Sequence, residues 1–145
     1  MKRHLLAALF LFCAFAACAQ GTSASVSDKP RPFEGHFFCK ATGVSLFLNL
    51  YEEDVVVPNF SFLGKMNGYM RGNIYGTWML VKHEVKGRTA LLRFSNDIGS
   101  DTQEVEFVQK TDSLYTYHAK GGNAIRRAVG RNLVKVAADM EFIRM

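Results

Sequence analysis

Cysteine is scarce in this 145-residue chain, which contains only Cys13, Cys18 and Cys39. Two of the three lie in an N-terminal segment with the layout of a cleavable secretory signal. Cleavage after residue 19 leaves Cys39 alone, and a single cysteine excludes an internal disulfide. The hydrophobic core must therefore hold the fold together, and the 126 residues that remain (145 less 19) are enough for one compact domain.

The sequence also lacks the motifs of common enzymes and metal sites. It has no G-x-S-x-G nucleophile motif, no cysteine-protease pattern and no phosphate-binding glycine loop. His36, His83 and His118 each stand alone, without a second ligand at the spacing that zinc requires. Residues 96–101, NDIGSD, lack the distal Glu of an EF-hand loop, so we predict an Asx-stabilised turn there. We expect no catalytic residue, no metal and no cofactor.

The first twenty residues, MKRHLLAALFLFCAFAACAQ, begin with basic residues, continue as an uncharged apolar run over 5–17 and end in small residues. This order predicts a secretory signal over 1–19, since the run is too short for a confident membrane span. The alternative is a lipoprotein signal cleaved before Cys18, which would make Cys18 a lipid anchor. The protein is therefore expected in the periplasm or outside the cell, or alternatively as an outer-membrane lipoprotein.

Positive charge is only slightly in excess. Without Lys2 and Arg3, 16 of the 18 Lys and Arg remain against 13 Asp and Glu, a net charge of +3. Cations cluster between Lys120 and Lys135, but so mild an excess is typical of a solvated loop. We therefore expect no nucleic-acid partner, and membrane contact only through the alternative lipid anchor.

Residues 20–32 are small, polar and interrupted by prolines, so they are predicted to form a flexible leader. From residue 33 onward, apolar side chains recur at every second position, the period of a β-strand. In FEGHFFCK, for example, Phe33, Phe37 and Cys39 share one face, which places Cys39 inside the protein. The main predicted strands are FEGHFFCK (33–40), VSLFLNLY (44–51), WMLVKHEV (78–85), RTALLRFS (88–95), TQEVEFVQ (102–109), SLYTYHA (113–119) and LVKVAADMEFIR (133–144).

About eight or nine strands joined mostly by short turns, with no helical period, predict an all-β domain over 33–145. We favour a single antiparallel barrel because closure removes exposed strand edges; a sandwich is the alternative. Lys86-Gly87 is predicted as a two-residue turn that sets His83 opposite Ala90 and Met79 opposite Phe94. The connection over 121–132 has no decided form.

One stretch interrupts the pattern: VPNFSFLGKMNG, residues 57–68. It is apolar enough to be buried, yet its Pro and Gly residues break any regular element. It could be a plug that completes the core, a lid over a ligand, or a loop that binds a partner. In the last case a few desolvated apolar anchors would dominate the interface. The candidate partner-binding residues are Pro58, Asn59, Phe60, Phe62, Leu63, Lys65 and Met66.

The opening F-x-G-x-F of Phe33, Gly35 and Phe37, the meander of strands, and a last strand ending in Phe142-Ile143-Arg144 resemble the small lipocalin-like barrels exported by Bacteroidota. True lipocalins have a Trp after the first-strand glycine, whereas His36 follows Gly35. In size, export and strand pattern the chain is also similar to barrel-shaped protease inhibitors, the potempins and staphostatins. This resemblance implies a barrel that binds a protein, with an exported protease as its expected partner.

Two functions remain as hypotheses. The first is a non-enzymatic barrel that inhibits a protease through the loop over 57–68. The second is a lipocalin-like carrier of a small apolar ligand, for which His83, Met79 and Phe94 are the candidate ligand-binding residues, because the predicted register places them on the inner face of the barrel.

Overall fold

The computed structural model describes residues 29–145; the predicted signal over 1–19, the alternative anchor Cys18 and leader residues 20–28 lie outside the described residues. The described chain is all-β, with a single short 3₁₀ helix, Ser61–Leu63. Its strands are β1 (Glu34–Cys39), β2 (Val44–Asn49), β3 (Val55–Val56), β4 (Lys65–Met66), β5 (Gly68–Gly72), β6 (Trp78–Lys86), β7 (Thr89–Asn96), β8 (Thr102–Gln109), β9 (Leu114–Gly122), β10 (Arg126–Val129), β11 (Asn132–Lys135) and β12 (Asp139–Arg144).

Eight of these strands form a closed antiparallel barrel in the order β1-β12-β9-β8-β7-β6-β5-β2. The prediction of an all-β antiparallel barrel is confirmed, and the sandwich alternative is wrong. Along the chain, each barrel strand is followed by its neighbour in the barrel, which is an up-and-down meander. Two connections carry extra elements: residues 50–67, here called the flap, contain β3 and β4, and residues 123–138, here called the basic hairpin, contain β10 and β11. Because β2 and β9 run in opposite directions, the flap and the basic hairpin leave the barrel at opposite ends.

The barrel interior is filled by aromatic side chains. Phe107 lies at the centre of this cluster, with its ring centroid 5.4 Å from Phe37, 5.1 Å from Tyr115 and 5.9 Å from Phe142. All four residues are completely buried. The period-two prediction is confirmed for the first strand, whose inward residues Phe33, Phe37 and Cys39 are buried.

Arg31 and Pro32, the end of the segment predicted to be a flexible leader, are instead held in place at the end of the barrel from which the flap departs. The guanidinium of Arg144 donates to the carbonyl oxygens of Pro32 and Arg31, the latter at 2.8 Å, and to the Tyr115 hydroxyl at 2.5 Å. The same guanidinium lies 5.4 Å from the ring centroid of Phe37. These contacts hold the chain just before β1, so that Phe33 enters the interior and is fully buried.

The opposite end is closed by the root of the basic hairpin. Ile125 is buried in the main core, and its carbonyl accepts a 2.8 Å hydrogen bond from the Val136 amide. The Arg126 carbonyl accepts from the Tyr75 amide at 2.6 Å. The connection whose form was undecided is therefore a β-hairpin, with Arg126 opposite Lys135 and Val129 opposite Asn132.

The predicted register of the β6–β7 hairpin is wrong. Lys86 pairs with Thr89, so the turn is Gly87-Arg88 rather than Lys86-Gly87, and Gly87 has a φ of 60°. His83 consequently lies opposite Leu92 instead of Ala90. A second shift between Leu80 and Lys82, where Val81 forms a bulge, places Met79 opposite Ser95 and Leu80 opposite Phe94. An extra residue in one strand moves every later pair, which alternation alone cannot reveal.

The prediction of one final strand over 133–144 is also wrong. Apolar alternation continues across this range, but β11 ends at Lys135 and β12 begins at Asp139. The chain changes partner strands here: β11 pairs with β10, with the Val136 amide continuing that ladder to Ile125, whereas β12 pairs with β9 and β1. Only the second half, with Met140 and Phe142 buried, belongs to the barrel.

Candidate protein-binding site

The outer wall of the barrel carries an apolar patch across β2, β5 and β6. Phe47 pairs with Tyr69, and Tyr69 pairs with Met79 in the strand register. The Phe47 and Tyr69 rings stack with centroids 4.8 Å apart, and His36 of β1 stacks on the other side of Phe47 at 4.3 Å. We call these four residues, His36, Phe47, Tyr69 and Met79, the outer patch.

The flap covers part of the outer patch. Val57 is fully buried and forms a small second core with Tyr69 and Met79, against which Phe60 and Met66 pack. This cluster is separate from the barrel interior. The interpretation of residues 57–68 as a plug of the barrel core is therefore wrong, because their buried side chains lie outside the wall.

The apex of the flap is a short, hydrogen-bonded turn. The Phe60 amide donates to the Val57 carbonyl, the Leu63 amide to the Phe60 carbonyl and the Gly64 amide to the Ser61 carbonyl, each at 3.0 Å. This turn directs two large apolar side chains into solvent: Phe62 is 79% exposed and Leu63 is 49% exposed. A large apolar side chain left exposed on an ordered turn is a candidate contact for another molecule.

Both ends of the flap are tied at one point. The Asn49 amide donates to the Asn67 carbonyl at 2.7 Å, and the Asn67 side-chain amide donates back to the Asn49 carbonyl at 3.0 Å. The buried side-chain oxygen of Asn49 accepts from the amides of Tyr51 and Glu52, each at 3.1 Å. The flap therefore leaves and rejoins the barrel through a hydrogen-bonded base, which limits its freedom relative to an open loop.

The outer patch also has a defined charge distribution. The guanidinium of Arg71 lies 5.6 Å from the Phe47 ring centroid and 5.8 Å from that of Tyr69. Burial, together with the nearby Arg71 charge, lowers the pKa of His36 below its usual value. Burial raises the pKa of Tyr69. The stacked rings are thus neutral near pH 7, and the exposed Arg71 supplies the cation at their edge.

The seven residues predicted for partner binding separate into two groups. Asn59, Phe62, Leu63 and Lys65 are exposed at or beside the apex. Pro58, Phe60 and Met66 are half-buried, and the last two pack on the outer patch as support. The supporting residues Phe47 and Tyr69 were not predicted. The signal that could have found Phe47 is its place on the otherwise polar face of VSLFLN.

The three residues predicted for the carrier function do not share one site. Phe94 is fully buried in the barrel interior, whereas Met79 lies outside the wall under the flap. His83 is half-buried and pairs with Leu92, beyond the part of β6 that pairs with β5. Within residues 29–145, no group of three or more His, Cys, Asp or Glu side chains is placed to hold a metal ion.

The fold and the site define a class of protein: a closed eight-stranded up-and-down β-barrel with a structured, apolar-tipped flap on its outer wall. In the part of the chain that the structure describes, no helix has the length and apolar character to cross a membrane. Comparison with models of protein families, with curated protein sequences and with solved structures found no match.

Proposed function

We propose that this protein is an exported, non-enzymatic protein-binding barrel that inhibits a protease by inserting the flap apex into its cleft. The observation that carries the proposal is the exposure of Phe62 and Leu63 on a turn whose stem is packed and hydrogen-bonded. Phe62 and Leu63 are adjacent in the chain, and exposed apolar side chains that lie together are more informative than a single one.

The rigidity of the flap favours tight binding to a partner. A loop that is already ordered loses less conformational entropy when it binds, so more of its contact energy appears as affinity. Here Val57 and Phe60 pack against the outer patch and hold the turn in place. The hydrogen bond between Asn49 and Asn67 holds the base of the flap. The two exposed side chains then enter a partner's pocket as preformed anchors.

A protease cleft fits this shape because it is concave and takes apolar side chains in successive pockets. Phe62 and Leu63 are adjacent and both exposed, and Lys65 is exposed just beyond them. The turn would present an aromatic anchor, an aliphatic anchor and a nearby cation to neighbouring pockets of the cleft.

The carrier alternative has less support. Within the barrel, Phe107 contacts aromatic rings on several sides at centroid distances of 5.1 to 6.2 Å. These rings occupy the volume that a small apolar ligand would need. Native mass spectrometry of protein purified from its own host would support the carrier function if a small molecule were retained.

The inhibitor proposal is tested by titrating the protein from residue 20 onward against a panel of serine, cysteine and metalloproteases. We expect one class to lose activity at near-stoichiometric inhibitor, with a complex that survives gel filtration. The double variant Phe62→Ala and Leu63→Ala should weaken inhibition at least about a hundredfold, as expected when two anchors are truncated.

The matched control is Ile98→Ala, which removes an equally exposed apolar side chain from the β7–β8 turn at the other end of the barrel. It should inhibit like the unaltered protein. Inhibition that survives the double flap variant, or the absence of inhibition and of complexes throughout the panel, would contradict the proposal.

A further inference from the structure

The basic hairpin is the most one-sided charged element of the described chain. It carries Arg126, Arg127, Arg131 and Lys135, and no Asp or Glu occurs anywhere between residues 113 and 138. None of these four cations forms an ion pair within residues 29–145. The hairpin is therefore an uncompensated positive surface.

The pairing of β10 with β11 places like charges close together, which destabilises the hairpin. Arg126 lies directly opposite Lys135 in the register of β10 and β11. Like charges facing each other across a strand pair destabilise it, and each cation here lacks an acidic neighbour on the hairpin. An anionic partner would remove this repulsion, so the arrangement favours a bound state over the free one.

The same hairpin exposes large apolar side chains. Val129, Leu133 and Val134 are all exposed, at 51%, 47% and 41%. Val129 adjoins the Gly130-Arg131 turn and Leu133 lies one pair further from it, on the other face of the ribbon, whereas Arg126 and Lys135 pair at the root. Apolar residues thus lie toward the tip with cations behind them, and the long side chain of Arg131 can extend back from the turn.

Two further exposed apolar residues lie at the same end of the barrel. Tyr75 is in the β5–β6 connection, where its amide binds the Arg126 carbonyl, and Ile98 is in the β7–β8 connection and is 78% exposed. Asp97 and Asp101 also lie in that connection, and Asp97 accepts a hydrogen bond from the Thr77 amide at 3.2 Å. Exposed apolar residues therefore occur on three connections at this end of the barrel, and four of its cations lie on the hairpin.

We infer that the basic hairpin docks on an anionic lipid bilayer, with Val129 and Leu133 entering the interface and the cations binding lipid phosphates. Apolar residues backed by Lys and Arg are what interfacial membrane binding requires. Nucleic acid fits less well, because the hairpin has no aromatic side chain for base stacking and its aliphatic residues would gain nothing from phosphates. The proposal is independent of the inhibitor function, since the flap leaves the barrel at the opposite end.

The test is sedimentation of the protein from residue 20 onward with vesicles of phosphatidylcholine alone and of equimolar phosphatidylcholine and phosphatidylglycerol. We expect binding only to the anionic vesicles, and its loss in about 1 M NaCl, where charges are screened within about 3 Å. Arg126→Gln combined with Lys135→Gln, and separately Val129→Ser combined with Leu133→Ser, should each reduce partitioning by roughly tenfold or more.

The flap variant Phe62→Ala serves as the matched control and should sediment like the unaltered protein. The fluorescence of the only tryptophan, the buried Trp78, reports that each variant is folded. Equal binding to both vesicle types, no binding to either, or full binding by the Val129 and Leu133 variant would overturn the inference. So would binding to duplex DNA that is tighter than binding to the anionic vesicles and is insensitive to the apolar variant.

Discussion

The barrel wall buries apolar side chains on both of its faces, and the two clusters differ in what they do. The inner cluster, centred on Phe107, joins residues from most of the barrel strands. The outer cluster, formed by Val57, Tyr69 and Met79, joins only the flap to one part of the wall. Packing of the inner cluster stabilises the barrel itself. Packing of the outer cluster holds the flap against the wall, so that Phe62 and Leu63 are exposed at its apex.

The largest effect should come from the inner cluster. Phe107→Ala removes a fully buried ring that contacts Phe37, Tyr115 and Phe142, and we expect a loss of about 3–5 kcal/mol of unfolding free energy. Urea unfolding followed by Trp78 fluorescence measures it. Phe107→Leu should lose less because it leaves a smaller cavity. A loss below about 1 kcal/mol for the alanine variant would show that this ring is not central to the core.

A smaller effect is expected from the outer cluster. Met79→Ala should lower the unfolding free energy by about 2 kcal/mol, the low end for a buried methionine, because the flap can partly settle into the space. The flap should also become more sensitive to limited proteolysis, with cleavage between residues 57 and 66. Leu80→Ala, the neighbouring inward position, should destabilise the barrel without selectively exposing the flap. The same cleavage pattern in both variants would show that the two clusters are not independent.

The outer patch should make the stability of the protein depend on pH through His36. Burial lowers the pKa of His36, so the unfolded chain binds a proton near pH 6.5 while the folded protein resists it. His36 therefore makes its full contribution to the free energy of unfolding above about pH 6.5, and this contribution is lost as the pH falls through the pKa of His36 in the folded protein. His36→Phe should show a shallower loss of stability between about pH 7 and about pH 5. Identical pH slopes for the two proteins would contradict the contribution of His36.

The smallest effect is expected at the flap apex. Phe62→Ser should change the unfolding free energy by no more than about 0.5 kcal/mol, since the side chain is 79% exposed and its removal opens no cavity. Thermal unfolding and urea unfolding both measure this change. A destabilisation comparable with that of Met79→Ala would mean that Phe62 supports the flap rather than being displayed by it.

The sequence was sufficient for the barrel but not for its details. Strict alternation, as in FEGHFFCK, correctly predicted that Phe33, Phe37 and Cys39 share one buried face, because successive side chains of a pleated strand point to opposite sides. The β6–β7 register was not predictable, because Val81 looks like any other strand residue until its neighbours show that it is a bulge. The break before Asp139 was hidden for a similar reason, since apolar alternation continues while the chain changes from pairing with β10 to pairing with β9.

The candidate site was half predictable. Proline, glycine and clustered apolar residues marked 57–68 as an irregular apolar segment, and the structure shows Phe62 and Leu63 exposed there. What the sequence could not show is the surface beneath the segment, because Phe47 and Tyr69 become neighbours only when β2 pairs with β5. A segment's own composition does not reveal which of its residues will find a partner on a distant strand.

The position of β12 has a consequence for the order in which this fold can assemble. β12 lies between β1 and β9 in the barrel, and its pairing of Arg144 with Phe37 joins residues more than a hundred positions apart, as their numbers show. Every other barrel strand precedes β12 in the chain, so the meander from β1 to β9 cannot close into a barrel until β12 has paired with both of its neighbours. Closure, and with it the hydrogen bonds from Arg144 to Arg31 and Pro32, therefore depends on contacts of long sequence separation, the kind of contact that slows folding.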